Sequence, residues 1–266
     1  MALAEDETEA WRGRARRWAE AELAPIVEEM DRSDRAPSDL TRRLGSAGFF
    51  GLGQPRDWGG GGESTRTVVA VLEELARVSS VAAVETAVHL SVAAAPLARW
   101  GTDAQREQYL RPLLAGRALG AFALTEPEAG SNAAALRCRY RWEGDTAVLQ
   151  GTKTFITNGA VADLLLLFAT RDPAEGRGGI TAFLVPKGTP GLRASHSFSK
   201  LGLRGSPTYE LTLDEVRLPR SLQLGPEGRG LGIALEALMG AGWASPPALS
   251  VSLGPGSKSW RAAVRA

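Results

Sequence analysis

Cysteine, histidine, charge of one sign and uninterrupted apolar sequence are all scarce in this chain. Among 266 residues Cys138 is the single cysteine, so no internal disulfide can form. A reducing compartment suits such usage, and a cytoplasmic location is expected. Lys and Arg total 31 against 30 Asp and Glu, a net charge of +1. That balance removes the electrostatic case for nucleic-acid binding. There are two histidines, His89 and His196, and the patterns HExxH, CxxC and GxSxG do not occur. Metal-centre and serine-hydrolase readings therefore lack support, and no metal is expected. The first residues, MALAEDETEAW, are acidic and carry no basic segment followed by an apolar run, so no secretion signal is expected. Glu85 and His89 interrupt the longest apolar stretch, Val81 to Leu97. It is expected to be too short and too polar to span a bilayer.

What the chain does contain is ordinary globular material, 44% hydrophobic and 23% charged, which excludes a fibre, a coiled coil and wholesale disorder. Its texture changes near Gly120. Before that point Trp11, Ala15, Trp18, Ala19, Leu23 and Ile26 form one apolar stripe of a helix ending or kinking near Pro25. Further helices are predicted over Ser38–Leu44, Thr67–Val78, Val81–Trp100 and Asp103–Leu114. Thr102 and Gln105 form a capping box before the last of these. After Gly120 come short β-prone runs separated by turn signals: Phe122–Thr125, Arg137–Trp142, Ala147–Gln150, Leu164–Ala169, Ile180–Val185 and Tyr209–Leu213. A helical pattern restarts after Pro226 and breaks at Met239-Gly240. The expected fold class is α+β. A helical domain (1–119) is followed by a small antiparallel β-barrel or sandwich (120–225), the start of a third helical domain (226–238) and a Gly/Pro/Ser-rich tail (239–266) that reads as disordered.

Several potential sites have bland readings. Gly59 to Gly62 lacks phosphate-loop spacing and reads as a turn. His89, in an apolar helix, reads as a packed core histidine, and His196 as a surface residue. Two segments stand apart. Phe122-Ala-Leu-Thr-Glu-Pro-Glu-Ala-Gly-Ser-Asn132 runs a strand end into a Gly-Ser turn that can present N–H groups and hydroxyls to an anion or a polar ring. Lys153-Thr-Phe-Ile-Thr-Asn-Gly159 places an aromatic next to threonine hydroxyls, suited to a flat heteroaromatic ring and its edge. From spacing alone, two well-formed β-turns explain the same residues.

Four strings carry a resemblance to the acyl-CoA dehydrogenase family. They are Leu124-Thr-Glu-Pro-Glu-Ala-Gly-Ser131, Gly151-Thr-Lys-Thr-Phe-Ile-Thr-Asn-Gly159, Lys200-Leu-Gly-Leu-Arg-Gly-Ser206 and Glu74-Leu-Ala-Arg77. Gly225-Pro-Glu-Gly-Arg-Gly230 resembles the family's entry to its third domain. The resemblance implies FAD, an acyl-CoA substrate, an electron-transfer flavoprotein partner and a tetramer. It implies cofactor contacts at Phe122, Leu124, Thr125, Ser131, Phe155, Ile156 and Thr157. Thr125 is expected to bond the flavin ring, Ser131 to lie near the pyrophosphate and the acyl-CoA, and Phe155, Ile156 and Thr157 to back the isoalloxazine. Asn132 stands where the family usually has Asp, and Pro207 where several members have Asp or Asn. The family's C-terminal helical bundle, which supplies the catalytic glutamate, is expected to be missing, so no residue is assigned as the base. One G inserted between the codons of Leu238 and Met239 lets the following codons read Asp-Gly-Gly-Arg-Leu-Gly-Ile-Ala-Ala, similar to the start of that bundle. A one-base deletion after Leu238 is the expectation drawn from it.

Overall fold

A computed structural model of the chain describes the backbone of residues 2–242 and the side chains of residues 7–239. Helices build the first part: α1 (Ala2–Glu22), α2 (Val27–Ser33), α3 (Leu40–Ser46), α4 (Thr65–Val78), α5 (Ser80–Val88), α6 (Ala95–Trp100), α7 (Asp103–Gln105) and α8 (Arg111–Leu114). The apolar stripe of α1 behaves as its spacing predicts, since Ala15, Ala19 and Leu23 are fully buried with Phe49, Phe50, Val71, Leu72 and Leu75. Across the seam between α1 and α4, Arg16 grips the buried Glu74 with two bonds of 2.9 and 2.8 Å, and Arg12 adds a third. The Arg16 hydrogen bond lowers the Glu74 pKa against the opposing effect of burial. Pro25 lies in the turn between α1 and α2. Thr102 and Gln105 form the expected reciprocal capping box.

A π-helical segment, His89–Ala94, joins α5 to α6 without a break. By length and hydropathy the resulting helix, Ser80–Trp100, is sufficient to cross a membrane, which corrects the expectation that it is too short and too polar. Its setting tells more: 78% of its most apolar window is buried inside the fold.

The second part is one eight-stranded sheet: β1 (Gly120–Ala123), β2 (Arg139–Glu143), β3 (Thr146–Thr157), β4 (Leu164–Thr170), β5 (Ile180–Pro186), β6 (Leu192–Ala194), β7 (Thr208–Pro219) and β8 (Gln223–Leu224). The order is β6-β7-β3-β2-β4-β5-β8, with β1 pairing to β4. Pairing is mostly antiparallel, but β1 and β2 each run parallel to β4. Every residue of β4 is buried because both of its faces are covered. Leu164, Leu166 and Phe168 pack against helices, while Leu165, Leu167 and Ala169 face the core of the sheet domain. After the sheet, α9 (Gly230–Gly242) returns to the helices. It continues past the expected break at Met239-Gly240. Residues 243–266, most of the tail read as disordered, lie outside the described residues.

Candidate functional site

The second polar–aromatic segment is strand as far as Thr157 and turn only at its end, Asn158 and Gly159. Residues Lys153 to Thr157 complete β3, which pairs with β7 as far as Thr157↔Thr208, with an irregularity between Lys153 and Ile156. That irregularity holds Phe155 at φ +57°, a left-handed conformation uncommon for a bulky residue. The ring is lifted off the sheet and is 66% exposed. It meets Phe198 at 5.4 Å between centroids.

Thr125 lies just beyond β1, beside this segment, where its carbonyl accepts a hydrogen bond from the Thr154 N–H at 2.9 Å. Thr125 and Thr157 are both half-buried. Ser131 is exposed in the following loop and makes no side-chain hydrogen bond among the described residues. The other three predicted positions differ. Leu124 and Ile156 are buried in the two cores, so only their backbone is available to a ligand. Phe122 is half-buried and packs edgewise on Phe168 at 5.0 Å, as a support beneath the strand end. The structure thus ties the Thr125 backbone to the end of β3 that carries Phe155 and Thr157, and among the described residues no hydrogen bond ties Ser131 to them.

Two residues inside the quoted strings do work that spacing alone left unread. Lys153 is fully buried, and its Nζ donates to Glu126 Oε1 at 2.8 Å and to the Leu124 carbonyl at 3.0 Å. Glu126, also buried, accepts backbone N–H bonds from Arg137 at 2.6 Å and Cys138 at 3.0 Å. Burial of Lys153 could have been found from parity. It pairs with Leu211 and alternates with Gly151 and Leu149 on the inward side of β3. The position of Glu126, 27 residues away, could not.

Elsewhere the bland readings hold. The N–H groups of Gly61 and Gly62 are taken by the carbonyls of Gly51 and Gln54, leaving no phosphate cradle in that turn. His89 is fully buried, stacked on Phe50 at 4.0 Å. Its Nε2 lies 3.0 Å from the Leu113 carbonyl and its Nδ1 accepts from Gly120 N–H at 3.4 Å. Burial pushes its pKa down to about 4. Glu85, bonded to Thr41 at 3.0 Å, is pushed up to about 7 by burial. It faces a cleft of about 1020 Å³ between helices and sheet, which also includes Asn158, Pro207 and Tyr209. A second hollow, about 640 Å³, lies between α9 and the helices and is lined in part by Val68, Leu90, Ala95, Ile233 and Ala237. None of the seven predicted cofactor positions lines either hollow. Tyr140 joins Thr181 and Glu227, and burial raises its pKa to about 12. Among the described residues no cluster of metal-ligating side chains occurs.

Comparison with known proteins follows the same division of the chain. Residues 5–117 match the family described as "Acyl-CoA dehydrogenase, N-terminal domain", and residues 121–216 match "Acyl-CoA dehydrogenase, middle domain". The chain is similar to an acyl-CoA dehydrogenase of Bacillus subtilis, 40% identical over 223 residues, covering 84% of this chain and 59% of that one. It is also similar to the acryloyl-CoA reductase (NADH) of Anaerotignum propionicum, 41% identical over 229 residues, covering 85% and 58%. Among solved structures, a glutaryl-CoA dehydrogenase from Mycobacterium smegmatis in complex with FADH2 superposes with a TM-score of 0.86. That match is 35% identical and covers 92% of this chain and 62% of the other. The chain therefore spans a little under two thirds of the length of these relatives.

Proposed function

Since the chain belongs to the acyl-CoA dehydrogenase family, we propose that the strand ends around Thr125 and Phe155 hold FAD and serve α,β-dehydrogenation of an acyl-CoA thioester. The observation that carries this reading is Phe155, a strained and solvent-facing aromatic that stands between Thr154 and Thr157 in the sequence of β3. A flat ring system buries apolar area on such a face while its polar edge meets Thr125 and Thr157. The donor chemistry fits a flavin. Hydroxyls suit the ring's carbonyl and nitrogen edge, and the exposed Ser131 suits the pyrophosphate and the thioester. Leu124 and Ile156 would contribute backbone groups, with Phe122 holding the strand end. When bound, the flavin supplies a hydride acceptor that no amino-acid side chain provides. The protein's part is to fix the ring's plane, to aim hydroxyls at its edge and to shield one face from water. By family, an electron-transfer flavoprotein is the proposed electron partner. No described residue is assigned to remove the α-proton.

Purified protein mixed with FAD should develop the absorbance of bound flavin. Anaerobic titration with a panel of acyl-CoA thioesters should then bleach it. Bound flavin that no thioester bleaches would favour a second reading, a family member that binds flavin without turnover. That alternative draws on the exposure of Phe155 and Ser131 among the described residues. No bound flavin at all would overturn the assignment. Phe155→Ala should weaken FAD binding about tenfold or more, from loss of stacking area. Because the ring is mostly exposed, thermal stability should barely change.

A further inference from the structure

We infer that the buried Glu126–Lys153 pair is a positioning clasp that fixes the segment from Thr125 to Ser131, and with it the flavin-binding strand ends; the flavin half of this inference rests on the function proposed above. A buried ion pair is seldom a good way to gain stability, because desolvation offsets most of the attraction. Its presence beneath a strand end therefore calls for a geometric account, and the hydrogen bonds supply one. Lys153 Nζ holds the Leu124 carbonyl at 3.0 Å, and Thr154 N–H holds the Thr125 carbonyl at 2.9 Å. Consecutive carbonyls on both sides of the Thr125 Cα are thus tied to β3.

The carboxylate then closes the loop that follows. Glu126 and Ala129 exchange backbone hydrogen bonds of 3.2 and 3.1 Å, which pin the near end of the loop. The same residue's side chain accepts the N–H groups of Arg137 and Cys138, which pin the far end. Ser131 sits between these anchors. With the Lys153 ammonium counted, three donors meet one carboxylate, and both of its oxygens are used. Neither residue has a surface to present to a ligand, so both act through Thr125 and Ser131.

Three variants and a control test the clasp. Lys153→Met keeps the length of the side chain and removes the charge. Glu126→Asp keeps the charge and withdraws the carboxylate by one methylene. Glu126→Gln with Lys153→Met leaves no unpaired buried charge, so it serves if Lys153→Met does not fold. Leu213→Ala, in the core of the sheet domain, controls for general destabilisation. The first readout is amide hydrogen exchange across residues 124–138 in protein without flavin. The second is FAD affinity, together with the shape of the bound-flavin absorption band. Faster exchange across that segment is expected in each clasp variant. FAD affinity should fall about tenfold or more, the range of a lost charge-assisted hydrogen bond, with an altered absorption band. Leu213→Ala should unfold earlier yet bind FAD within about threefold of the parent. The inference is overturned if folded clasp variants keep both parental exchange and parental affinity, or if Leu213→Ala matches their affinity loss. Failure of the parent to bind FAD would instead overturn the flavin reading, while the exchange arm would still report on the clasp.

Discussion

Glu85 and His89 sit one helical turn apart, and each is held neutral by burial, with opposite consequences for pH. His89 falls from its ordinary 6.5 to about 4. Between those values the unfolded chain binds a proton that the folded chain refuses, so stability drops as pH falls through this window. Glu85 rises from 4.5 to about 7. Between 4.5 and 7 the unfolded chain releases a proton that the folded chain keeps, so stability drops as pH rises through that window. The two slopes oppose each other between pH 4.5 and 6.5, where these groups together leave stability nearly flat. Glu85→Gln retains an acceptor for Thr41 and removes the second slope. The variant should be more stable than the parent by about 3 kcal/mol at pH 8, with the gap closing by pH 4.5. Urea unfolding at a series of pH values reads this directly, and a gap that did not narrow toward acid would refute it. The same scale explains Phe155. Phe155→Gly relieves a left-handed φ worth about 1 kcal/mol, so its unfolding midpoint should hold or rise while FAD affinity falls. A lower midpoint with unchanged affinity would show that the ring serves the fold and not a ligand.

Among the elements, close backbone approach does what side chains cannot. Gly45 in α3 lies against Gly116 in the turn after α8, and a Cβ on Gly45 would collide with Gly116 Cα and Ala115. Gly116 itself has φ +65°. Gly45→Ala should therefore cost about 1–3 kcal/mol despite its better helix propensity, measured as a shift in the denaturant midpoint. The exposed Gly178, which has no neighbour near its missing Cβ, would not show a collision of this kind. Element identity was largely legible from sequence where one periodicity held throughout. The α1 stripe, the capping box at Thr102 and the unbroken apolar run of β4 all announce themselves. The second half of β3 did not, because Gly151 and Lys153 interrupt its apolar alternation and the irregularity at Phe155 changes its parity. Strand β6 escaped notice because three residues, two of them exposed, carry no pattern. The site was legible only as motif letters. Strings of residues show hydroxyls and an aromatic, but neither the left-handed Phe155 nor a carboxylate reaching Lys153 across 27 positions.

At the scale of the molecule, the boundary near Gly120 divides sequence texture more sharply than it divides the packing. One core takes Leu97, Leu110, Leu113 and Leu114 from the helices, Leu166, Phe168, Ile180 and Leu184 from the sheet, and Leu231 and Ile233 from α9. Polar ties cross the same seam. His89 joins Leu113 and Gly120, Gln105 donates to the carbonyls of Ser221 and Gln223, and Glu236 of α9 meets Arg99 and the Trp100 indole. Separating helices from sheet would expose this core on both sides at about 25 cal/mol per Å² of apolar surface, so neither part has a reason to melt alone. Calorimetry should give one endotherm with a van't Hoff enthalpy equal to the calorimetric one. Leu110→Ala, in the shared core, should lower stability by about 2–5 kcal/mol and leave the transition single. The helical circular-dichroism signal and exchange protection of the β3–β7 ladder should be lost together. Two endotherms, or a Leu110→Ala variant that melts its helices while the β ladder stays protected, would show two independent folding units instead.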